Sequence, residues 1–177
     1  MSELYSRAPY VSDRDRVQLD AEGSIQYGMY YWDDNYPDSH VFAEGECLRK
    51  TFDPDFMLYH TMAVDEWGHM KGADSAEYAN AVAAVGHLIA ARMPEWLEKG
   101  YQVVVTADHG MNNLGIHVGT EHAQREVALY IFSDKVENGR FEENYISQLN
   151  VAPLVCKLMG VPATEGMKQE LEIVFSK

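Results

Sequence analysis

The sequence predicts an α/β layered fold with a mostly parallel sheet flanked by helices. Three observations lead there. Apolar runs of strand length recur at 56–64 (FMLYHTMAV), 101–106 (YQVVVT) and 127–132 (VALYIF). Between the first two, apolar residues fall at helical spacing from 76 to 99. The order strand, helix, strand, loop, strand, helix suits helices packed on a parallel sheet.

The elements follow from local signals. Residues 1–38 form an irregular N-terminal segment, and residues 39–177 form the α/β lobe. Within the first, Tyr27–Pro37 reads YGMYYWDDNYP, dense in aromatics and turn formers. It holds at most a short strand. Tyr30, Tyr31 and Trp32 read as a packed cover over the core, with stacking on a nucleobase as the alternative. Ser39 reads as the N-cap of a helix from His40 to about Lys50, with Val41, Phe42 and Leu48 as its apolar positions. Asp53, Pro54 and Asp55 break the chain. FMLYHTMAV is apolar almost throughout, as a strand buried on both faces would be. Asp74 or Ser75 caps the helix 76–99, where Tyr78, Val82, Val85, Leu88, Ile89 and Met93 recur on one face. Pro94 kinks or divides it, and Gly100 ends it. Asn150 caps a last helix with Pro153 in its first turn and Gly160 closing it. The run LEIVF (171–175) reads as an edge strand.

Composition excludes several classes. Hydrophobic residues make up 46% of the 177, too many for a disordered tail. No apolar run approaches the roughly 20 residues that span a bilayer. Met1–Asp20 lacks the apolar core of a secretory signal, so the chain, if it starts at Met1, reads as cytoplasmic. A net charge of −14 without a basic stripe argues against a nucleic-acid polymer. It leaves a phosphate substrate open, because bound divalent cations reverse the field within a site. Cys47 and Cys156 lie far apart in apolar-periodic stretches and read as buried free thiols.

Three segments carry the chemistry: Asp65-Glu66-Trp67-Gly68-His69, Asp108-His109-Gly110-Met111 and Gly115-Ile116-His117-Val118-Gly119. Two of them begin where a predicted strand ends, the place where sites gather in open α/β sheets. Carboxylate oxygen with imidazole nitrogen suits zinc, manganese or iron. One zinc takes about four ligands, so Asp65, His69, Asp108, His109 and His117 exceed one catalytic site and suggest two ions. Singly, each has a plainer reading: Asp65 as a turn cap, His69 as a surface residue, His117 as interchangeable with His122. His40, His60 and His87 fall at periodic positions and read as structural. The joint occurrence, in this order, carries the argument.

DEWGH resembles the Asp-x-x-Gly-His segment of type I phosphodiesterases and nucleotide pyrophosphatases, in the alkaline phosphatase superfamily. VVVTADHGMN resembles their Thr/Ser-Asp-His-Gly-Met segment. GIHVGTEHAQREVALYIF is similar to their Gly-x-His-Gly-Gly-Thr stretch with Arg-Glu-Val-Pro-Leu-Tyr. NVAPLVCKLMGVP is similar to the superfamily's late Asp-Ile-Ala-Pro-Thr helix. The match runs over about residues 39–162. It implies a partial alkaline-phosphatase-like fold and two divalent ions, zinc or else manganese. Asp65, His69 and His117 would hold one ion, and Asp108 and His109 the other. It implies hydrolysis of phosphodiester or pyrophosphate bonds in a small, nucleotide-like substrate. Alternatives are a phosphomonoesterase, sulfatase or mutase of the superfamily, or a noncatalytic metal-binding module.

The chain departs from the pattern in one large respect. The family's first-strand aspartate and its Thr or Ser nucleophile have no counterpart before Asp65, so no residue is assigned as nucleophile. Smaller departures are Val118 for glycine, Ala128 for proline and Asn150 for aspartate. A truncated lobe is the expectation, with self-association through its exposed sheet edge.

Overall fold

The computed structural model describes residues 16–31, 33–139, 145–167, 171 and 173–176. Residues 1–15 and Trp32, part of the expected irregular segment, lie outside the described residues. The chain is mixed α/β and divides into two units. One comprises Met1–Ala91 with His109–Glu126, the other Arg92–Asp108 with Val127–Lys177.

In the first unit, β1 (Val17–Leu19) pairs antiparallel with β2 (Tyr27–Met29), Val17 opposite Met29 and Leu19 opposite Tyr27. The stretch expected to be largely irregular is therefore a hairpin. Tyr27 stacks on Phe52, with ring centroids 3.8 Å apart. Tyr30 and Tyr31 are only 6% and 8% exposed, which matches a packed cover and leaves neither ring face for a nucleobase.

Helix α1 (Asp38–Phe52) starts earlier than expected, with Pro37 rather than Ser39 at its N-cap. Asp38 instead serves the next helix, α2 (Ala63–Lys71). Its Oδ1 accepts hydrogen bonds from the amides of Met62 and Ala63 at 3.2 and 3.3 Å, satisfying donors that a helix start leaves unpaired. Burial raises the Asp38 carboxyl above its ordinary range, against the lowering effect of these two bonds and of His60.

The apolar run 56–64 is not a strand. It forms no ladder, and its last residues, Ala63 and Val64, open α2. Side chains tether it instead. Tyr59 stacks on Phe42 of α1 at 5.2 Å and donates to Glu46 at 3.1 Å, while Phe56 and Leu58 are 55% and 59% exposed. Helix α3 (Ala76–Ala90) follows, capped as expected by Ser75, whose Oγ accepts from the Tyr78 amide at 3.1 Å.

In the second unit, α4 (Met93–Glu98) carries Pro94 in its first turn, so the expected helix 76–99 is two helices. Gly100, at φ +87°, ends it. Strand β3 (Val103–Val105) pairs antiparallel with β4 (Tyr130–Phe132). Gln148–Asn150 form one 3-10 turn leading into the helix Val151–Met159, which buries Leu154 and Leu158 and ends at Gly160, φ +75°. Asn150 is fully buried, but its side chain does not cap that helix. Its Nδ2 donates to the Ser147 carbonyl at 2.9 Å. Of the expected edge strand LEIVF, Phe175 forms a single antiparallel bridge with Val136.

The mostly parallel sheet is thus a correction: among the described residues both sheets are antiparallel pairs. A parallel crossover needs a strand on each side of its helix, and the run before α2 forms none. The cysteines are a second correction. Cys47 is exposed and Cys156 partly so, both as free thiols. In α1 the buried positions are Asp38, Phe42, Gly45, Leu48 and Arg49, and Cys47 lies off that face. No helix among the described residues is long and apolar enough to cross a membrane.

Candidate metal centre

Helix α2 places Asp65 and His69 one turn apart, so both point the same way. His69 Nε2 lies 3.5 Å from Asp65 Oδ2. Both acidic residues of the first turn and both basic residues of the last suit the helix dipole. Asp65 therefore sits on a helix, rather than beyond the end of the strand that the sequence suggested. Gly68, between the two, is buried, and a Cβ there would come within 2.8 Å of Met111 Cε. Its missing side chain lets Met111 lie against α2.

That loop is built around Asn112. Its Oδ1 accepts from the amides of Leu114 and Ile116 at 3.0 and 2.9 Å, and its own amide donates to the Ile116 carbonyl at 3.2 Å. Its carbonyl accepts from the Ala73 amide at 3.1 Å, joining the loop to the residues after α2. The chain returns at Gly115, whose φ of +73° favours glycine. The Gly115 carbonyl then accepts from His69 Nδ1 at 2.8 Å. His117 follows, its ring edge-on to His69 with centroids 4.9 Å apart. His109 stacks on His117 at 3.9 Å with planes 15° apart, and its Nε2 is 3.8 Å from Asp65 Oδ1.

Hydrogen-bond chemistry sets the tautomers. His69 Nδ1 faces the Gly115 carbonyl, and His109 Nδ1 faces the Gly110 carbonyl at 3.0 Å. A carbonyl only accepts, so each Nδ1 carries the proton and each neutral ring keeps a lone pair on Nε2. Both Nε2 atoms lie on the Asp65 side. Asp65 Oδ1 is shielded from solvent and has no hydrogen-bond partner in the structure. A shielded carboxylate oxygen without a partner is costly. Asp65, His69 and His117 each offer a ligand atom, and these lie within 4.8 Å of one another. One oxygen and two imidazoles, with the Gly115 carbonyl orienting the His69 ring from behind, fit a divalent ion such as zinc.

The other expected residues are placed as follows. Asp108 belongs to the second unit, where it is exposed and its carbonyl accepts from Gln148 Nε2 at 3.2 Å. His122, the rival of His117, is exposed on the short helix α5 (His122–Arg125) and pairs with Glu126. His40 meets the Tyr36 ring edge-on, His60 bonds Tyr31, and His87 is exposed on α3. None of these three belongs to the cluster. Sequence reasoning missed Tyr78, read only as an apolar helix position. Its phenol is raised first by burial and then by the negative charge of Asp65, so it stays protonated beside the site. It also missed Asn112, although Asn-Asn-x-Gly is a turn signature.

Comparison with known proteins bears on this geometry. The profile of the family described as type I phosphodiesterase / nucleotide pyrophosphatase matches residues 6–151, starting well before the expected resemblance at 39. The chain is 27% identical to the mouse (Mus musculus) GPI ethanolamine phosphate transferase 3, catalytic subunit, over 84% of this chain and 14% of that protein. It is 29% identical to the human (Homo sapiens) counterpart over 63% of this chain and 10% of that protein. It is 31% identical to a 2,3-bisphosphoglycerate-independent phosphoglycerate mutase of Wolinella succinogenes, over 66% of this chain and 23% of that protein. The chain thus spans a small part of each of these relatives. No solved structure matches it. With a family profile covering most of its length and the motif residues Asp65, His69, His109 and His117 gathered in one unit, the chain belongs to the type I phosphodiesterase / nucleotide pyrophosphatase family.

Proposed function

We propose that this chain supplies a divalent-ion site for cleavage of phosphodiester or pyrophosphate bonds in small, nucleotide-like substrates. The observation that carries the reading is the shielded, unpartnered Asp65 Oδ1 beside the His69 imidazole, whose Nδ1 is held by the Gly115 carbonyl and whose Nε2 faces Asp65. Asp65, His69 and His117 hold one ion, and His109 contributes to a second. Bound there, zinc or manganese supplies charge neutralisation for phosphate oxygens and an acidified water. The chain's own part is orientation. The Gly115 and Gly110 carbonyls hold the rings, and protonated Tyr78 adds no charge to compete with Asp65. The family's Thr or Ser nucleophile is assigned to no residue here. Membership of the family implies an alkaline-phosphatase-like layered fold for these residues.

A second reading is transfer instead of hydrolysis, with an alcohol taking the phosphoryl-bearing group. Similarity to proteins named as ethanolamine phosphate transferases and to a phosphoglycerate mutase favours it. The test is calorimetric titration of the metal-free chain with Zn²⁺, followed by assay on p-nitrophenyl diester and monoester substrates. Zinc uptake that disappears in Asp65→Ala is expected, and absence of uptake by the unsubstituted chain would overturn the metal centre. Diester turnover supports hydrolysis. Uptake without turnover of either ester leaves the chain a noncatalytic metal-binding module. Turnover that needs an added alcohol supports transfer.

A further inference from the structure

Gln124 lies outside the three segments that hold the proposed ligands, yet it bonds the backbone beside two of their imidazoles. It is 6% exposed. Its Nε2 donates to the Ile116 carbonyl at 3.3 Å and to the Val118 carbonyl at 3.2 Å, the carbonyls of the residues on either side of His117. Its Oε1 accepts from the Glu121 amide at 3.2 Å, completing a reciprocal cap at the start of α5. Its main-chain carbonyl accepts from the Gly110 amide at 2.9 Å, next to His109. One residue therefore grips the chain on both sides of His117 and beside His109, and those two rings are the stacked pair.

The seat of the amide is closed. Gly119 has φ +147°, and a Cβ there would lie 3.0 Å from Gln124 Cδ and 3.1 Å from Nε2. Both donor hydrogens and the acceptor oxygen are used, so the amide has one orientation that satisfies all its partners.

We propose that Gln124 is the positioning residue of this centre, fixing His117 and His109 as a stacked pair by holding the backbone on either side of the first and beside the second. Its role in metal binding rests on the metal-centre reading above, whereas the ring geometry that it fixes does not. A Gln is required rather than a Glu, because an ionised carboxylate would face two carbonyl oxygens with no proton to donate. Methionine keeps the volume and loses every side-chain hydrogen bond.

The test uses the full chain with Gln124→Met and, independently, Gly119→Ala, which crowds the amide without altering it. Imidazole proton NMR of the metal-free chains reads the mutual ring-current shifts of His109 and His117. Cobalt titration reads affinity and the visible absorption of the bound ion. Both variants are expected to lose the ring-current shifts, leave the Tyr31–His60 signals in place, and weaken cobalt binding about 10- to 100-fold. Unchanged shifts in both variants overturn the proposal, whatever the cobalt titration shows. Collapsed shifts in a chain whose unsubstituted form takes up no cobalt uphold the positioning and remove the metal-centre reading instead. If both variants unfold, the unsubstituted chain still decides. Slow exchange of the Gln124 side-chain amide protons is expected, and fast exchange refutes the grip.

Discussion

His69 and His60 both bond through Nδ1, at 2.8 and 2.7 Å, and both lie in the first unit. They differ in the partner. His69 faces a backbone carbonyl, which can only accept, so its proton is fixed on Nδ1 and its Nε2 is left as a donor of electrons. His60 faces the Tyr31 hydroxyl, which can give or take, and the two rings stack in parallel at 6.3 Å. The first arrangement prepares a ligand. The second fills a packed aromatic layer in which Tyr31 also stacks on Tyr36. Residue type does not separate the two histidines, but the bonding partner of the rear nitrogen does.

The largest effect expected from this contrast is at Asp65. Asp65→Ala should lower zinc affinity more than about 100-fold, since even outer partners of metal ligands are worth 10- to 100-fold. The metal-free variant should melt no lower than the unsubstituted chain, and even higher, because a shielded carboxylate oxygen without a hydrogen-bond partner costs about 1–3 kcal/mol. Calorimetric titration with a thermal melt of the metal-free form checks both signs. Gly115→Ala comes next. A Cβ there would stand 2.7 Å from the His69 carbonyl at a φ of +73°, displacing the acceptor that fixes the His69 tautomer. A loss of about 10-fold in zinc affinity is expected, read by the same titration. His60→Gln is the control. It should change zinc affinity less than about twofold, while the lost hydrogen bond lowers stability by about 1 kcal/mol in urea denaturation.

The smallest effect is at Asp38, which lets the comparison be sharpened by pH. Burial holds its folded-state carboxyl above the ordinary range. Its stabilising contribution is therefore full below the unfolded value, about 3.9, and is lost as pH rises through the raised one. Asp38→Asn keeps an oxygen for the Met62 and Ala63 amides and removes the charge. Above about pH 4 the variant's urea midpoint should fall less with rising pH than that of the unsubstituted chain. Parallel pH profiles would show that the charge of Asp38 does not matter.

Much of the local structure of both units is legible because its signals are local. Ser75 caps α3, Pro94 and Gly100 bracket α4, and Gly160 ends the last helix, each through its own backbone preference. In the metal centre, Asp65 and His69 meet through helix spacing alone, and the glycines and asparagines of 110–115 announce a tight loop. FMLYHTMAV misleads because apolarity specifies burial but not a ladder partner. Its partners are side chains of α1, and Asp38 reaches across 24 residues to start α2 where a strand was expected. Cys47 misleads because periodicity in a short helix does not say which flank faces outward. Tyr78 and Gln124 stay hidden for the same reason as Asp38: their significance lies in who bonds them, over distances the linear pattern does not record.

The bond from His69 to the Gly115 carbonyl joins positions 46 apart in the chain. Closing a loop of that length costs about 3 kcal/mol of chain entropy before any contact within it repays the loss. During synthesis, α2 emerges with Asp65 and His69 already facing one way, but with nothing behind the His69 ring. Residues 92–108, which belong to the other unit, must pass before His109 and His117 arrive. A ribosome-stalled chain ending before His109 would therefore carry half a ligand set on a helix whose Gly68 groove still lacks Met111, and it should hold zinc no better than an isolated helix with one Asp and one His a turn apart.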